Sequence, residues 1–256
     1  MDSTQIGTTV RFEPGTLIAN RYEVVGRLGA GGMGFVLKAA DRKLNGEIVA
    51  IKLLNKQVAE ENSTVLQRMI NEVLIARSLT HPNIVRIHDI GETDDGFTYI
   101  TMEYVQGQSL AELVASQGTE GLPLPTALKL LCEILEGVGF AHRKGVIHRD
   151  LKPANVLITE HGELKIVDFG LARASESDMK LTQTGEAVGT PAFMAPEQFR
   201  GGEVDRRTDV YALGIMAYQF VTGSLPFNCR TFFDMALKHI NAPLPDFADE
   251  AKGIPS

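Results

Sequence analysis

The stretch Leu28-Gly29-Ala30-Gly31-Gly32-Met33-Gly34-Phe35-Val36 separates two architectures by what comes after its glycines. Glycines at 29, 31 and 34 let backbone N–H groups approach phosphate oxygens with no Cβ in the way. A dinucleotide-binding turn with this spacing needs a helix directly behind it. Here Phe35-Val36-Leu37-Lys38-Ala39 is aromatic and β-branched with a period of two, so the chain runs on as a strand. The loop reads as the tip of a strand–turn–strand flap, not as a dinucleotide fingerprint.

Working outward, residues 22–27 lead into the flap and residues 48–54 follow it as a further β-branched strand. Within Val49-Ala50-Ile51-Lys52, alternation puts Ala50 and Lys52 on one face, as it does Val36 and Lys38 on the strand before. A lysine in such a strand either snorkels to solvent or reaches an interior anion. Helical periodicity takes over across 65–79, with Val65, Met69, Val73 and Ala76 on one stripe and His81-Pro82 beyond its end. Glu72 falls on that stripe, where an acid wants a buried cation, and Lys52 is the expected partner. Two apolar runs, 84–90 and 98–104, flank Thr93-Asp94-Asp95-Gly96 as a hairpin. After Val105-Gln106-Gly107 the character is helical. Ala127, Leu131, Ile134, Val138 and Ala141 recur at helical spacing between Pro125 and Gly145. A strand-rich front thus meets a helical back near residues 103–107, with a cleft between them as the expected ligand site.

Beyond the long helix comes His148-Arg149-Asp150-Leu151-Lys152-Pro153-Ala154-Asn155. Strands at 156–158 and 164–167, joined by Glu160-His161-Gly162-Glu163, are expected to pair so that Asn155 lies opposite Asp168. Two oxygen donors at the open end of one hairpin would seat a hard cation such as magnesium. Asp168-Phe169-Gly170 then opens a long polar segment.

Net charge is -7, which excludes general attraction to nucleic acid or to an anionic membrane, so an anionic ligand needs a local site. The two cysteines, Cys132 and Cys229, have no metal-ligand spacing and fit a reducing, cytoplasmic setting. Residues 1–15 have neither the basic nor the apolar region of a secretory signal. The uncharged stretch 210–229 is broken by Thr222-Gly223-Ser224 and Pro226. What remains is shorter than the ~20 residues a bilayer demands, so a buried core helix is expected and no membrane segment.

Taken together, these residues resemble the eukaryotic-type (Hanks-type) serine/threonine protein kinase family. The resemblance rests on the glycine loop 29–34, Lys52, Glu72, the 148–155 motif, Asp168-Phe169-Gly170 and Ala195-Pro196-Glu197, in family order between residues 22 and 239. It implies an α+β, two-lobed fold. A strand-rich N-lobe with one main helix (21–103) and a hinge (103–107) would precede a mostly helical C-lobe (108–256), with a flexible arm at 1–20. It also implies transfer of the ATP γ-phosphoryl group, with Mg2+, to serine or threonine hydroxyls of protein substrates. By position, Leu28, Val36, Ala50 and Leu157 would enclose adenine beside Met102 and the hinge backbone of Glu103 and Val105. Gly29, Gly31 and Gly34 would cover the phosphates, and Lys52, paired with Glu72, would contact the first two of them. Asn155 and Asp168 would hold magnesium, Lys152 would neutralise the moving phosphoryl group, and Asp150 would accept the hydroxyl proton. Asp209 would brace the backbone of His148 and Arg149. Thr182 and Thr184 would be activating phosphorylation sites received by Arg149 and Arg173, with self-association for trans-autophosphorylation.

Lys152 and Thr190 resemble the serine/threonine branch, and the wording of the glycine loop and of 189–198 resembles bacterial members. In the family the C-lobe continues past the 232–240 helix into two more helices, one supplying an arginine partner for Glu197. Neither is expected here, which leaves Glu197 unpaired and Phe220, Phe227, Phe232, Phe233 and Leu237 uncovered. The alternative reading is a pseudokinase-like scaffold that binds ATP without transferring phosphate. A small-molecule kinase fits less well, because Thr190 and Ala195-Pro196-Glu197 resemble a platform for protein substrates.

Overall fold

The structure is a computed structural model that describes residues 12–31, 34–54, 63–118, 120–169, 191–229 and 231–245, with backbone only for 63–69. Strands β1 (Leu17–Ile18), β2 (Tyr22–Gly31), β3 (Gly34–Asp41), β4 (Glu47–Leu54), β5 (Ile87–Glu92) and β6 (Thr98–Glu103) form one sheet in the order β1-β2-β3-β4-β6-β5. β2 and β3 pair from Tyr22↔Asp41 to Gly31↔Gly34, so the glycine stretch is a hairpin tip, as its period-two continuation requires. Gly34 has φ +138, and a Cβ there would run into the Leu53 carbonyl; glycine alone lets the flap lie this close to β4.

One face of the sheet buries Tyr22, Leu37, Ile51 and Leu53, and the other buries Ala50, Leu54, Ile100 and Met102 against the rest of the molecule. The flexible arm expected over 1–20 needs correction at residues 12–20. Ile18 is 1% exposed within the β1–β2 pair, and the Phe12 ring lies 5.4 Å from Phe35 and 5.8 Å from Phe97. A two-residue strand leaves no period to read, and the aromatic contacts that hold it are made with distant strands.

Among the described residues, helix α1 (Ser63–Ala76) is the α-helix of the N-lobe. Among the described residues the C-lobe comprises β7 (Gly107–Ser109), α2 (Leu110–Ser116), α3 (Leu124–Arg143), β8 (Val156–Thr159), β9 (Leu164–Ile166), α4 (Pro196–Phe199), α5 (Arg206–Thr222) and α6 (Phe232–Asn241). β7, β8 and β9 form a small second sheet. α3 buries Ala127, Ile134, Val138 and Ala141 of the expected stripe, while Leu131 is half-buried and its neighbour Leu130 is buried instead. α5 is buried on several sides, the core helix expected from its uncharged run. Among the described residues no helix is long and apolar enough to cross a membrane.

Two expectations for the C-lobe are corrected. Phe220 and Phe227 are buried: the Phe220 carbonyl accepts from the Leu122 N–H, and the Phe227 ring stands 5.0 Å from His239. Phe232 is half-buried with its ring 5.5 Å from Phe199, whereas Phe233 (69%) and Leu237 (44%) are exposed as expected. Glu197 is not left alone either, because the Thr208 hydroxyl donates to its Oε1.

Candidate functional site

The hairpin expected to present Asn155 and Asp168 is β8–β9, with Val156 opposite Ile166 and Ile158 opposite Leu164. The Thr159 N–H donates to the Glu163 carbonyl at 2.9 Å, and Gly162 sits at φ +78. The connection is therefore the three residues Glu160-His161-Gly162, a common hairpin type with a left-handed glycine, and is one residue shorter than the sequence suggested. This corrects the register. Asn155 faces Val167, whose N–H donates to the Asn155 carbonyl at 2.9 Å, and Asp168 follows one place on. The two side chains still belong to the same end of the hairpin.

The loop before β8 is fixed from several directions. The Asp150 N–H donates to His148 Nδ1 at 3.3 Å, so Nδ1 is the acceptor and Nε2–H donates to the Val167 carbonyl at 2.8 Å. The buried His148 ring also meets Phe169 edge-on at 4.7 Å, which ties the loop to the segment carrying Asp168. Asp209, in the first turn of α5, accepts from the N–H groups of His148 (2.9 Å) and Arg149 (2.8 Å) and bonds His142 Nε2 at 2.6 Å. The first two are the brace implied by the resemblance; His142 has no motif to announce it. Burial would push the Asp209 carboxyl up. The His142 bond, the proximity of His148 and the two backbone N–H groups outweigh that and hold it below the ordinary carboxylate range.

Asp150 keeps its side chain 45% exposed while Lys152 Nζ donates to its two oxygens at 3.0 and 2.8 Å. Asn155 Nδ2 donates to the Asp150 carbonyl (2.7 Å) and carboxylate (3.1 Å), so its amide is oriented with Oδ1 as the remaining polar end. Oδ1 of Asn155 and the carboxylate of Asp168 together form a hard, all-oxygen donor set. That chemistry fits a divalent cation whose other positions are filled by phosphate and water. Among the described residues no group of three or more His, Cys, Asp or Glu side chains could hold a metal ion by itself.

Charge pairing in the cleft departs from expectation. Lys52 Nζ donates to Asp168 Oδ1 at 2.8 Å, and Arg149 Nη1 donates to both oxygens of Glu72 at 2.9 Å. The expected Lys52–Glu72 pair is therefore not the arrangement present. Two acids and two cations share this space, and sequence spacing does not decide which of them meet.

Around the proposed adenine seat, Ala50 and Met102 are cross-strand partners and both are buried. Val36, Val105 and Leu157 are half-buried, and Leu28 is 46% exposed at the flap. Gly29 and Gly34 flank the hairpin tip, with Gly31 opposite Gly34. Glu103 is anchored by Lys165 Nζ at 2.9 Å and by the Arg86 N–H at 3.2 Å, a tie that sequence reading missed. Thr182, Thr184, Thr190 and Arg173 lie outside the described residues.

An antiparallel sheet lobe, a helical lobe and an acid–lysine–asparagine loop beside a hairpin-borne aspartate make up the site. Residues 22–245 match the protein kinase domain family, and the chain belongs to that family. It is 40% identical over 226 residues to a probable serine/threonine-protein kinase of Clostridium perfringens, covering 88% of this chain and 32% of that one. It is also 40% identical over 231 residues to the serine/threonine-protein kinase PrkC of Bacillus subtilis, covering 90% of this chain and 35% of that one. The chain thus spans about a third of the length of these curated relatives. Among solved structures it is similar to the PknI kinase domain of Mycobacterium tuberculosis, crystallised as a double mutant. The identity is 30% and the TM-score 0.67, covering 84% of this chain and 80% of that one. Membership implies ATP and a divalent metal ion.

Proposed function

We propose that this domain transfers the γ-phosphoryl group of Mg-ATP to serine or threonine hydroxyls of proteins. The observation that carries the reading is the half-exposed Asp150 carboxylate, held by Lys152 and Asn155 and joined through His148 to the segment that bears Asp168. Asp150 takes the proton of the incoming hydroxyl as its oxygen begins to bond the γ-phosphorus and the bond from that phosphorus to the bridging oxygen breaks, releasing ADP. Lys152 spreads the negative charge of the moving group, and Lys52 meets the phosphates under the glycine flap. Asn155 and Asp168 would hold magnesium, which would supply charge neutralisation at the phosphates. Such chemistry relies on placement and electrostatics more than on covalent help. Leu28, Val36, Ala50, Met102, Leu157 and the backbone of Glu103 and Val105 receive the adenine. The free thiols of the exposed Cys132 and the half-buried Cys229 suit a reducing, cytoplasmic setting.

Regulation through Thr182 or Thr184 belongs to the same reading. A phosphothreonine brings about -1.5 to -2 charges and would compete with Glu72 for Arg149, freeing Glu72 to turn to Lys52. Trans-autophosphorylation by a second copy is the simplest route to it. The Thr182→Ala, Thr184→Ala double variant is expected to lose the rise in turnover that wild type gains on preincubation with Mg-ATP. A double variant that activates like wild type would remove these threonines from regulation.

The activity itself is tested by transfer of labelled phosphate to a generic protein, with calorimetry of ATP binding alongside. Transfer to serine or threonine supports the kinase reading; ATP binding without any transfer would establish the scaffold alternative instead.

A further inference from the structure

Gln198 lies in α4, one residue past the Ala195-Pro196-Glu197 motif, and none of the roles above uses it. Its Oε1 accepts from the Ala195 N–H at 2.9 Å, and its Nε2 donates to the Arg149 carbonyl at 2.8 Å. We propose that Gln198 is a positioning residue that clasps the Arg149–Asp150 peptide and so sets the place of the Asp150 carboxylate. The proposal rests on the kinase reading and extends it to how the end of the 191–199 segment reaches the reacting groups.

The physical need for a clasp comes from Arg149. It stands at φ +69, a left-handed conformation that is strained for a non-glycine residue. Strain of this kind persists only where the surroundings over-determine it. The N–H of Arg149 is fixed by Asp209. Its carbonyl shares one peptide plane with the Asp150 N–H, which is held by His148 Nδ1 at a longer 3.3 Å. Without the glutamine, that plane would keep only the longer bond, and a rotation there swings Asp150. A small hollow lined by Arg149, Asp150, Phe193, Met194, Gln198 and Thr208 lies alongside. The glutamine is itself seated: it caps α4 through Ala195, and its neighbour Glu197 is held to α5 by Thr208. A displacement of this segment would therefore pass to Asp150 through a single amide.

The two functions of the side chain can be separated. Gln198→Glu keeps an acceptor for the Ala195 N–H but replaces the donor by an oxygen facing the Arg149 carbonyl; Gln198→Met removes both. The expected result for Gln198→Glu is a kcat lower by about tenfold, the scale of one lost hydrogen bond, with KM for ATP within about twofold of wild type. In the nucleotide-free protein, amide exchange at Arg149 and Asp150 should quicken while exchange at Ala195 stays slow. Gln198→Met should lower kcat at least as far and also speed exchange at Ala195. Wild-type kcat and wild-type exchange in Gln198→Glu would reduce the residue to a helix cap and overturn the proposal. Should Gln198→Glu not fold, Gln198→Met decides alone: a fall in kcat at constant KM supports the clasp, and unchanged kcat overturns it. Failure of wild type to transfer phosphate would refute the kinase reading instead, and the nucleotide-free exchange comparison would still judge the clasp.

Discussion

Asp150→Asn is expected to slow phosphoryl transfer by about 10²–10⁴-fold, the usual cost of losing a general base, while leaving ATP affinity close to wild type. The substitution is nearly isosteric, so the loop should keep its shape: the Asp150 N–H and carbonyl are held by His148 and Asn155 through the backbone. What changes is the side chain. Its amide cannot take the hydroxyl proton, and it offers one acceptor where Lys152 and Asn155 now find two oxygens. Single-turnover transfer measured beside calorimetric ATP binding separates the two effects. Lys52→Met should behave differently, weakening nucleotide binding as well as rate, because Lys52 stands inside the cleft against Asp168. Near wild-type turnover in Asp150→Asn would remove Asp150 from the role of base.

The contrast between these two residues also marks what the sequence could tell. The faces of β3 and β4 were legible because strand alternation is local: Val36 pairs with Lys52 and Lys38 with Ala50, all on the face their spacing gives. The hairpin register was not, since a loop shorter by a single residue shifts every pair, and it set Asn155 against Val167. Pairing of charges was less legible still. Lys52 with Asp168 and Glu72 with Arg149 are contacts across 116 and 77 residues, chosen among cations and acids of similar reach. The brace by Asp209 was visible through the resemblance alone, and His142 not at all, because a histidine at the end of α3 carries no pattern pointing to α5. Burial of Phe220 and Phe227 was missed for a related reason: which face of a helix is covered depends on what packs there, not on its own spelling.

Asp209→Ala is expected to cost about 3–5 kcal/mol of stability, the scale for removing one member of a buried charged network. Against a typical domain stability of about 5–15 kcal/mol, that is a large share. The carboxylate is fully buried and serves His142, His148 and Arg149 at once. Its loss leaves the two backbone N–H groups and the ring nitrogen without this acceptor. Its position in the first turn of α5 also suits a negative charge near a helix N-terminus. Asp209→Asn keeps the volume and one acceptor, so it should fall between wild type and Asp209→Ala. The pH dependence identifies the charge as the cause. A carboxyl held below its ordinary range contributes fully above the unfolded value of ~3.9, and that contribution is lost as pH falls through the lower folded value. The stability difference between wild type and Asp209→Asn, measured by urea unfolding, should therefore be constant from pH 7 down to about 4.5 and narrow below about 4. His239, whose buried imidazole is pushed down to about 4, titrates in both proteins and cancels from the difference. A gap that stays constant through pH 3 would mean that Asp209 acts by shape alone.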